Sequence, residues 1–302
     1  MKIKRIIFSD VDGTIHTYPD KKSMPDTKVD ILNAVNNDNV KFVLNTGNPL
    51  LPKLISMAKE LNSEYIICAN GAAIYDVKNE HYIYESKFEP KTVVKIFDII
   101  KNANQTSCFF GKLGYHLVTN DQKSAEFLTE FFEFSNWEDE KNQPKENIYK
   151  IEIYPDLKMK EWLVKQLKSL DDKIDLAVME HHIEITPQNI NKGTGALWLC
   201  SYLEADPAYC MSIGDSNNDL SMLSVIGFSY AMDNGSYDVK KTAKYYTSDV
   251  LQNGLGEAIK DYIFRTKIDI LKQENIDKAQ KRAIKEDKNQ FYREKAKQEK
   301  SS

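Results

Sequence analysis

The sequence lacks the features that mark membrane-inserted and nucleic-acid-binding proteins. It contains no apolar run of transmembrane length, and its first residues, MKIKRIIFSD, resemble the start of a strand more than a secretion signal. The formal net charge of −4 argues against the basic face that a duplex nucleic-acid binder carries. We therefore expect a cytoplasmic protein with neither a nucleic-acid nor a membrane partner.

Cysteine is also scarce, and its spacing excludes a compact zinc site. The four cysteines are scattered and form no C-x-x-C pair: Cys68, Cys108, Cys200 and Cys210. We expect them to be small buried side chains with reduced thiols. The chain also has no internal repeat and no Gly/Ser-rich linker. Its 302 residues are enough for one large core or for two domains.

Strand and helix patterns alternate over residues 1–84. Apolar runs predict a strand at residues 4–8, a second that ends in a turn within VKFVLNTGN, and a third followed by a turn within EYIICANGAAIYD. Between the first two, apolar residues at helical spacing predict a helix, with Asp26 as its N-cap. This strand–helix order is typical of a parallel sheet with right-handed crossovers. The same pattern returns in residues 188–265, so both segments are expected to form one α/β core.

Residues 85–187 follow a different pattern, in which helices alternate with paired strands. This order predicts an inserted α+β domain. Its expected core includes the aromatic residues Phe127, Phe131, Phe132, Phe134 and Trp137. Within it, the His181–His182 pair fits a strand, so at most one of the two should face a pocket. Residues 266–302 are dominated by charge and predict a helical or disordered tail.

Polar clusters follow the predicted core strands at the points where those strands end. The clusters are Asp10-Val11-Asp12-Gly13-Thr14, Asn45-Thr46-Gly47-Asn48, Asn70-Gly71 and Gly214-Asp215-Ser216-Asn217-Asn218-Asp219. In an open parallel sheet, ligands bind beyond the carboxyl ends of the strands. Several carboxylates together with the ammonium of Lys192 suit a hard divalent cation and a phosphate. One carboxylate can act as a nucleophile, and a second acid can protonate a leaving alcohol.

These clusters resemble the motifs of the haloacid dehalogenase superfamily. DVDGT is similar to its first motif, NTG to its second, NINKGTGALWL to its third and GDSNNDLSML to its fourth. The large insertion between the second and third motifs is similar to the cap of the Cof-type, type IIB subfamily. The whole resemblance covers about residues 3–263. The resemblance implies a Rossmann-like, doubly wound parallel-sheet core with an inserted α+β cap of the C2B type.

The resemblance also implies a role for each motif residue. Asp10 is expected to be the nucleophile, and Asp12 the general acid and then the general base. The expected metal ligands, for Mg²⁺, are Asp10, the Asp12 backbone carbonyl, Asp215 and, in a supporting role, Asp219. The expected phosphate-binding residues are Val11, Thr46, Gly47, Lys192 and Asn218. The implied function is a Mg²⁺-dependent phosphatase that acts on a small phosphorylated metabolite, with a sugar phosphate as the expected substrate.

The sequence departs from the superfamily pattern at Asn48, where close relatives usually carry arginine. Asparagine cannot supply a positive fork to a phosphate. Two alternatives stay open at this point: a phosphomutase that uses the same nucleophile and acid, and a non-catalytic regulator that binds a phosphometabolite. For assembly we expect a monomer or a weak homo-oligomer.

Overall fold

The chain forms two compact units, Met1–Ile259 and Lys260–Ser302, and each is described by itself. The computed structural model describes residues 3–111, 114–119, 121, 123, 126, 134–135, 146–170, 174–179 and 181–298. The helices of these residues are α1 (Pro25–Asn37), α2 (Pro52–Glu60), α3 (Pro90–Ala103), α4 (Leu157–Lys168), α5 (Lys192–Tyr202), α6 (Leu220–Val225), α7 (Tyr237–Thr242) and α8 (Gly254–Gln298).

The larger sheet has eight strands in the described part of the chain, in the spatial order β14–β13–β12–β1–β2–β3–β4–β5. Their bounds are β1 (Arg5–Ser9), β2 (Val40–Asn45), β3 (Tyr65–Cys68), β4 (Ala73–Asp76), β5 (His81–Glu85), β12 (Met211–Gly214), β13 (Phe228–Ala231) and β14 (Tyr245–Tyr246). Neighbours from β14 to β3 pair in parallel, and β4 and β5 add an antiparallel edge. The predicted parallel α/β core is therefore confirmed.

Strand β1 lies in the middle of this sheet and sets the position of the first motif. All five of its residues are buried, and Ile7 pairs with Phe42 on one side and with Met211 on the other. The pairing continues one residue past the strand, because the Asp10 amide donates to the carbonyl of Ile213 at 3.0 Å. The chain order reverses at β1, which is where an open α/β sheet places its ligand crevice.

The second sheet belongs to the segment between β5 and α5 and is called the cap sheet here. Its described strands, in spatial order β10–β11–β9–β6–β7–β8, are antiparallel except at the β7–β8 pair. Their bounds are β6 (Thr106–Gly111), β7 (Gly114–Val118), β8 (Phe134–Ser135), β9 (Ile148–Tyr154), β10 (Ile174–Val178) and β11 (Ile183–Pro187).

The cap sheet has one apolar face and one polar face because side chains alternate along each strand. Ile151 and Ile153 of β9 join Ile183 and Ile185 of β11 in an apolar cluster with residues of α3 and α4. The intervening side chains of the same strands are charged. Of the predicted aromatic cap core, Phe127, Phe131, Phe132 and Trp137 lie outside the described residues, as does the side chain of Phe134.

Two local predictions are wrong. Helix α1 begins at Pro25 after Met24, so Asp26 lies in its first turn and is not the N-cap. Proline suits the first helical position because its fixed φ matches the helix and its missing N–H has no partner to lose there. His181 and His182 do not lie in a strand, since they connect β10 to β11.

The second unit continues α8, and its described residues are helical to Gln298. Within it the Arg265 guanidinium pairs with Asp261 one turn earlier, at 2.6 Å. Among the residues that the structure describes, no helix is both long enough and apolar enough to cross a membrane. The four cysteines are all buried and none forms a disulfide, in agreement with the sequence prediction.

Candidate active site

A cavity of about 1080 Å³ is lined both by strand ends of the larger sheet and by residues of the cap sheet. Six of the predicted site residues line it: Asp10, Asp12, Thr46, Gly47, Asp215 and Asn218. Lys192 lies next to Asp10 and donates hydrogen bonds both to it and to Asp219. Val11 is buried between the two aspartates of its motif. The structure therefore brings the predicted residues of all four motifs together at one edge of the sheet.

The Lys192 ammonium joins three separate segments of the chain. Its Nζ atom donates to Asp10 Oδ1 at 2.5 Å and to Asp219 Oδ1 at 2.7 Å, and only 1% of the residue is exposed. Lys192 occupies this position because it opens α5, whose start is fixed by a capping box between Asn191 and Thr194. Burial alone lowers the pKa of Lys192, but the two carboxylates raise it above its ordinary value, so the ammonium stays charged.

Asp219 organises the loop that follows β12. Its Oδ2 atom accepts hydrogen bonds from the backbone amides of Asp215 and Ser216, both at 3.0 Å, while its Oδ1 atom accepts from Lys192. This loop approaches the first motif closely. A Cβ atom on Gly13 would lie 2.3 Å from Asp215 Oδ2, and the φ of Gly13 is +89°. Only glycine fits there.

Asp10, Asp215 and Asp219 form a carboxylate cluster in which one ligand oxygen from each lies within 4.8 Å of the others. Burial raises the pKa of Asp10 to about 7, against the opposing charge of Lys192 and with added repulsion from Asp219. Burial, followed by the charges of Asp10 and Asp219, holds the pKa of Asp215 well above its ordinary value. The Oδ1 atom of Asp215 is buried and has no hydrogen-bond partner among the described residues.

The carboxylate of Asp12 is held from both sides. Lys21 donates to its Oδ1 atom, and His16 Nδ1 lies 3.7 Å from the same atom. Asn48 Nδ2 donates to Oδ2 at 2.9 Å. The amide of Asn48 is held in turn by the cap, because the buried Tyr115 hydroxyl donates to Asn48 Oδ1 at 2.8 Å. The residue that departs from the superfamily pattern therefore links the cap to Asp12.

Thr46 and Asn218 are held by short-range contacts in their own loops. Thr46 Oγ1 accepts a hydrogen bond from the backbone amide of Asn48 at 3.1 Å. Asn218 Oδ1 accepts one from the Ser216 hydroxyl at 2.8 Å. Asn70, from the turn after β3, brings the third polar cluster to the same place. Its Oδ1 atom lies 3.5 Å from Asn218 Nδ2. Asn218 lines the cavity, and Asn70 supports it from the side.

The cap contributes charged residues that the sequence interpretation did not assign to the site. Lys150, Glu152 and Glu184 line the cavity from the polar face of the cap sheet, with His181 and His182. The prediction that at most one of the two histidines faces a pocket is wrong, because both lie between β10 and β11, where strand alternation does not apply. The charged face of the cap sheet could have been found from the sequence. In IYKIEIY and HIEITP, ionisable residues alternate with isoleucines along a strand.

The imidazole of His182 gives the site a pH-dependent contribution to stability. Burial alone lowers its pKa, but the hydrogen bond with Glu184 and the charge of Glu152 raise it above the ordinary 6.5. A raised pKa in the folded state stabilises the protein fully below about 6.5, and the benefit is lost as the pH rises through the folded pKa.

We predict that the free energy of unfolding falls as the pH rises above 6.5 and that His182→Gln lacks this component. Urea denaturation at several pH values between about 6 and 9 measures it. His81→Gln, at an exposed position, is the matched control. Parallel stability curves for the wild type and His182→Gln would contradict the prediction.

Comparisons with known proteins identify the family and the fold of the chain. Residues 7–259 match the family of haloacid dehalogenase-like hydrolases. A phosphoglycolate phosphatase of Methanococcoides burtonii is 26% identical over 268 residues, which cover 86% of this chain and 96% of that protein. A 5-amino-6-(5-phospho-D-ribitylamino)uracil phosphatase of Bacillus subtilis is 22% identical over 275 residues, which cover 86% of this chain and 96% of that protein.

A solved sugar phosphatase of haloacid dehalogenase subclass IIB has the same fold. It superposes with a TM-score of 0.75 at 18% identity, over 86% of this chain and 99% of that one. The family and the fold predicted from the four motifs are thereby confirmed. The chain belongs to the haloacid dehalogenase-like hydrolase family.

Proposed function

We propose that the protein is a Mg²⁺-dependent phosphatase that hydrolyses a small phosphorylated metabolite, a sugar phosphate, through a phosphorylated Asp10. The observation that carries the proposal is the carboxylate cluster of Asp10, Asp215 and Asp219 at the edge of a metabolite-sized cavity, in which Asp10 and Asp219 accept from the Lys192 ammonium. Relatives named phosphoglycolate phosphatase and sugar phosphatase support the reaction class. The cytoplasmic location and the oligomeric state stay predictions.

The residues present fit a magnesium ion. Magnesium prefers a few carboxylate oxygens and keeps some of its water ligands. Asp215 Oδ1 is buried without a partner among the described residues. Burial first, and then the charges of neighbouring carboxylates, raise the pKa values of Asp10 and Asp215, and a bound cation would offset both effects. We propose that Asp10, the Asp12 carbonyl and Asp215 hold the ion. Both oxygens of Asp219 already accept hydrogen bonds, so its proposed role is to orient the Asp215 loop.

When bound, the ion supplies positive charge to the phosphoryl oxygens and to the Asp10 carboxylate. The side chain of Asp10 attacks phosphorus, and the bond from phosphorus to the ester oxygen breaks as the new bond forms. Asp12 gives its proton to the departing oxygen. Asp12 then takes a proton from a water molecule that attacks the phosphorylated Asp10, which releases inorganic phosphate. The groups proposed to hold the phosphoryl oxygens are Thr46, Lys192, Asn218 and the amides of Val11 and Gly47.

The nucleophile prediction concerns Asp10→Asn, which keeps the acceptor for Lys192 and removes the nucleophilic carboxylate. We expect kcat to fall on the order of 10³-fold or more, because no other group can form the covalent intermediate. Steady-state hydrolysis of a phosphate monoester measures this. Asp26→Asn, at an exposed position in α1, is the matched control and should keep normal kcat. Retention of a tenth of wild-type turnover by a folded Asp10→Asn protein would refute covalent catalysis by Asp10.

The metal prediction has a readout that does not depend on turnover. Mg²⁺ should raise the melting temperature of the wild type, since a ligand that binds only the folded state stabilises it. The Asp215→Asn variant should show a much smaller rise, because it replaces a charged ligand with a neutral one. Excess EDTA should abolish hydrolysis and added Mg²⁺ should restore it. Full activity in EDTA would rule out the metal role.

A further prediction concerns the Tyr115–Asn48–Asp12 chain of hydrogen bonds. Tyr115→Phe removes the hydroxyl that orients the Asn48 amide towards the general acid. We expect kcat to fall about fivefold for an alkyl phosphate, whose leaving oxygen needs a proton, and much less for an aryl phosphate. Tyr149→Phe removes another cap hydroxyl, which donates to Glu85, and serves as the control. Equal losses for both substrates would show that Tyr115 does not act through Asp12.

A further inference from the structure

The polar face of the cap sheet carries a buried cluster of charged residues, called the cap cluster here. It consists of Lys150, Glu152 and Glu184, which are 1%, 5% and 4% exposed. Glu152 of β9 and Glu184 of β11 are directly opposite each other in the sheet register. Like charges at opposed positions destabilise a sheet. This arrangement therefore needs compensating contacts.

The Lys150 ammonium supplies the main compensation. Its Nζ atom donates to Glu152 Oε1 at 2.6 Å and to Glu184 Oε1 at 3.0 Å. His182 Nε2 lies 3.6 Å from the same oxygen of Glu184. The second oxygen of each carboxylate also has a donor: the Tyr154 hydroxyl for Glu152, and Asn70 Nδ2, at 2.6 Å, for Glu184. The cap cluster is held in one arrangement.

A purely structural role does not account for burying three charges here. Replacement of buried ion pairs by well-packed apolar side chains is often neutral or stabilising, and the other face of this sheet is apolar. All three residues line the cavity that contains Asp10 and Asp12. Lys150 Nζ lies only 3.3 Å from the point that a Cβ atom of Gly47 would occupy. The cap cluster thus borders the proposed phosphate-binding turn, where a leaving group attached to that phosphate would lie.

The hydrogen bonds that the cap cluster already makes decide which class of ligand it can bind. The position between the two carboxylates is filled by an ammonium, which disfavours a metal ion or a cationic ligand there, although Glu152, His182 and Glu184 are close enough to hold a metal. A carboxylate has about four acceptor positions. Two of the acceptor positions on Glu152 are filled by described residues, Lys150 and Tyr154. The remaining acceptor capacity suits uncharged donors such as hydroxyl groups.

The charge of the surrounding surface selects against anions. The cap residues that line the cavity include four carboxylates, Asp121, Glu152, Asp156 and Glu184, and two ammonium groups, Lys123 and Lys150. Among the described residues on this side, carboxylates exceed ammonium groups by two, and the imidazoles of His181 and His182 lie beside them. A ligand anchored by its phosphate at the core end would bring any second anionic group against this surface. Like-charge juxtaposition is an effective way to reject a competing ligand.

We propose that Glu152 and Glu184, held by Lys150 and His182, form a leaving-group subsite that binds the hydroxyl groups of an uncharged polyol and rejects leaving groups with a second anionic group. This inference rests on the proposed phosphatase function. It assigns discrimination between neutral and anionic phosphate esters to named cap residues.

The test compares sorbitol phosphate with phosphogluconate, which differs by a carboxylate in place of a terminal CH₂OH group. The wild type should favour sorbitol phosphate at least about tenfold in kcat/KM, as expected for hydrogen bonds to charged acceptors. Glu152→Gln and Glu184→Gln should bring the two substrates to within about threefold of each other, mainly by losing activity towards sorbitol phosphate. Phenyl phosphate, which has no hydroxyls, should change little. Glu161→Gln, an exposed change on α4, should behave as the wild type.

Calorimetric binding of the same esters to Asp10→Asn protein separates the subsite from the chemistry. If the wild type hydrolyses none of the esters, the proposed function fails, but the order of affinities still tests the subsite. An unchanged preference in folded Glu152→Gln and Glu184→Gln overturns the inference, as does a wild-type preference for phosphogluconate. A preference for glucosamine phosphate over glucose phosphate would show that the cap cluster binds a cation, and would also overturn it.

His182→Gln keeps the test decisive if neither glutamine variant folds. The His182 side chain is 24% exposed, so its replacement is less disruptive than a change at either buried glutamate. It should weaken binding of sorbitol phosphate while leaving phenyl phosphate unaffected, because Glu184 loses one orienting partner. Unchanged affinity for sorbitol phosphate in that variant would contradict the subsite.

Discussion

The contact between the Lys192 ammonium and two carboxylates is the interaction on which the rest of the site depends. Without it, Asp10 and Asp219 would be uncompensated buried charges, and breaking a buried pair in this way is costly. The contact ties the end of β1 to the start of α5 and to the loop after β12. Because Asp219 also holds the amides of Asp215 and Ser216, one buried cation fixes three of the four motif segments.

Sequence reasoning predicted this end of the cavity because its residues follow local rules. Asp10 follows a buried strand, Lys192 opens a helix, and the carboxyl ends of parallel strands meet at one edge of the sheet. The parallel order of the core could be predicted for the same reason. Errors arose where a local pattern allowed two readings. Pro25 and Asp26 both suit a helix start, and adjacent histidines suit a strand or a turn equally well.

The cap end could not be predicted, because its contacts join residues far apart in the chain. Glu152 and Glu184 become neighbours only through the pairing of β9 with β11, and Asn70 reaches Glu184 across 114 positions. The role of Asn48 was hidden for the same reason, since Tyr115 lies 67 positions away. The alternating sequence shows that these cap residues share a face, but it does not say which surface that face meets.

The two ends of the cavity share one ionic arrangement but differ in the contacts around it. At each end a buried lysine lies between two carboxylates: Lys192 between Asp10 and Asp219, and Lys150 between Glu152 and Glu184. At the core end a third carboxyl group, Asp215, adds an Oδ1 atom with no described partner, and this is the oxygen proposed to bind a cation. At the cap end the second oxygens accept from a tyrosine and an asparagine, and we propose that this cluster binds uncharged donors. We therefore propose that the same ionic arrangement serves a metal and a phosphate at one end and a neutral leaving group at the other.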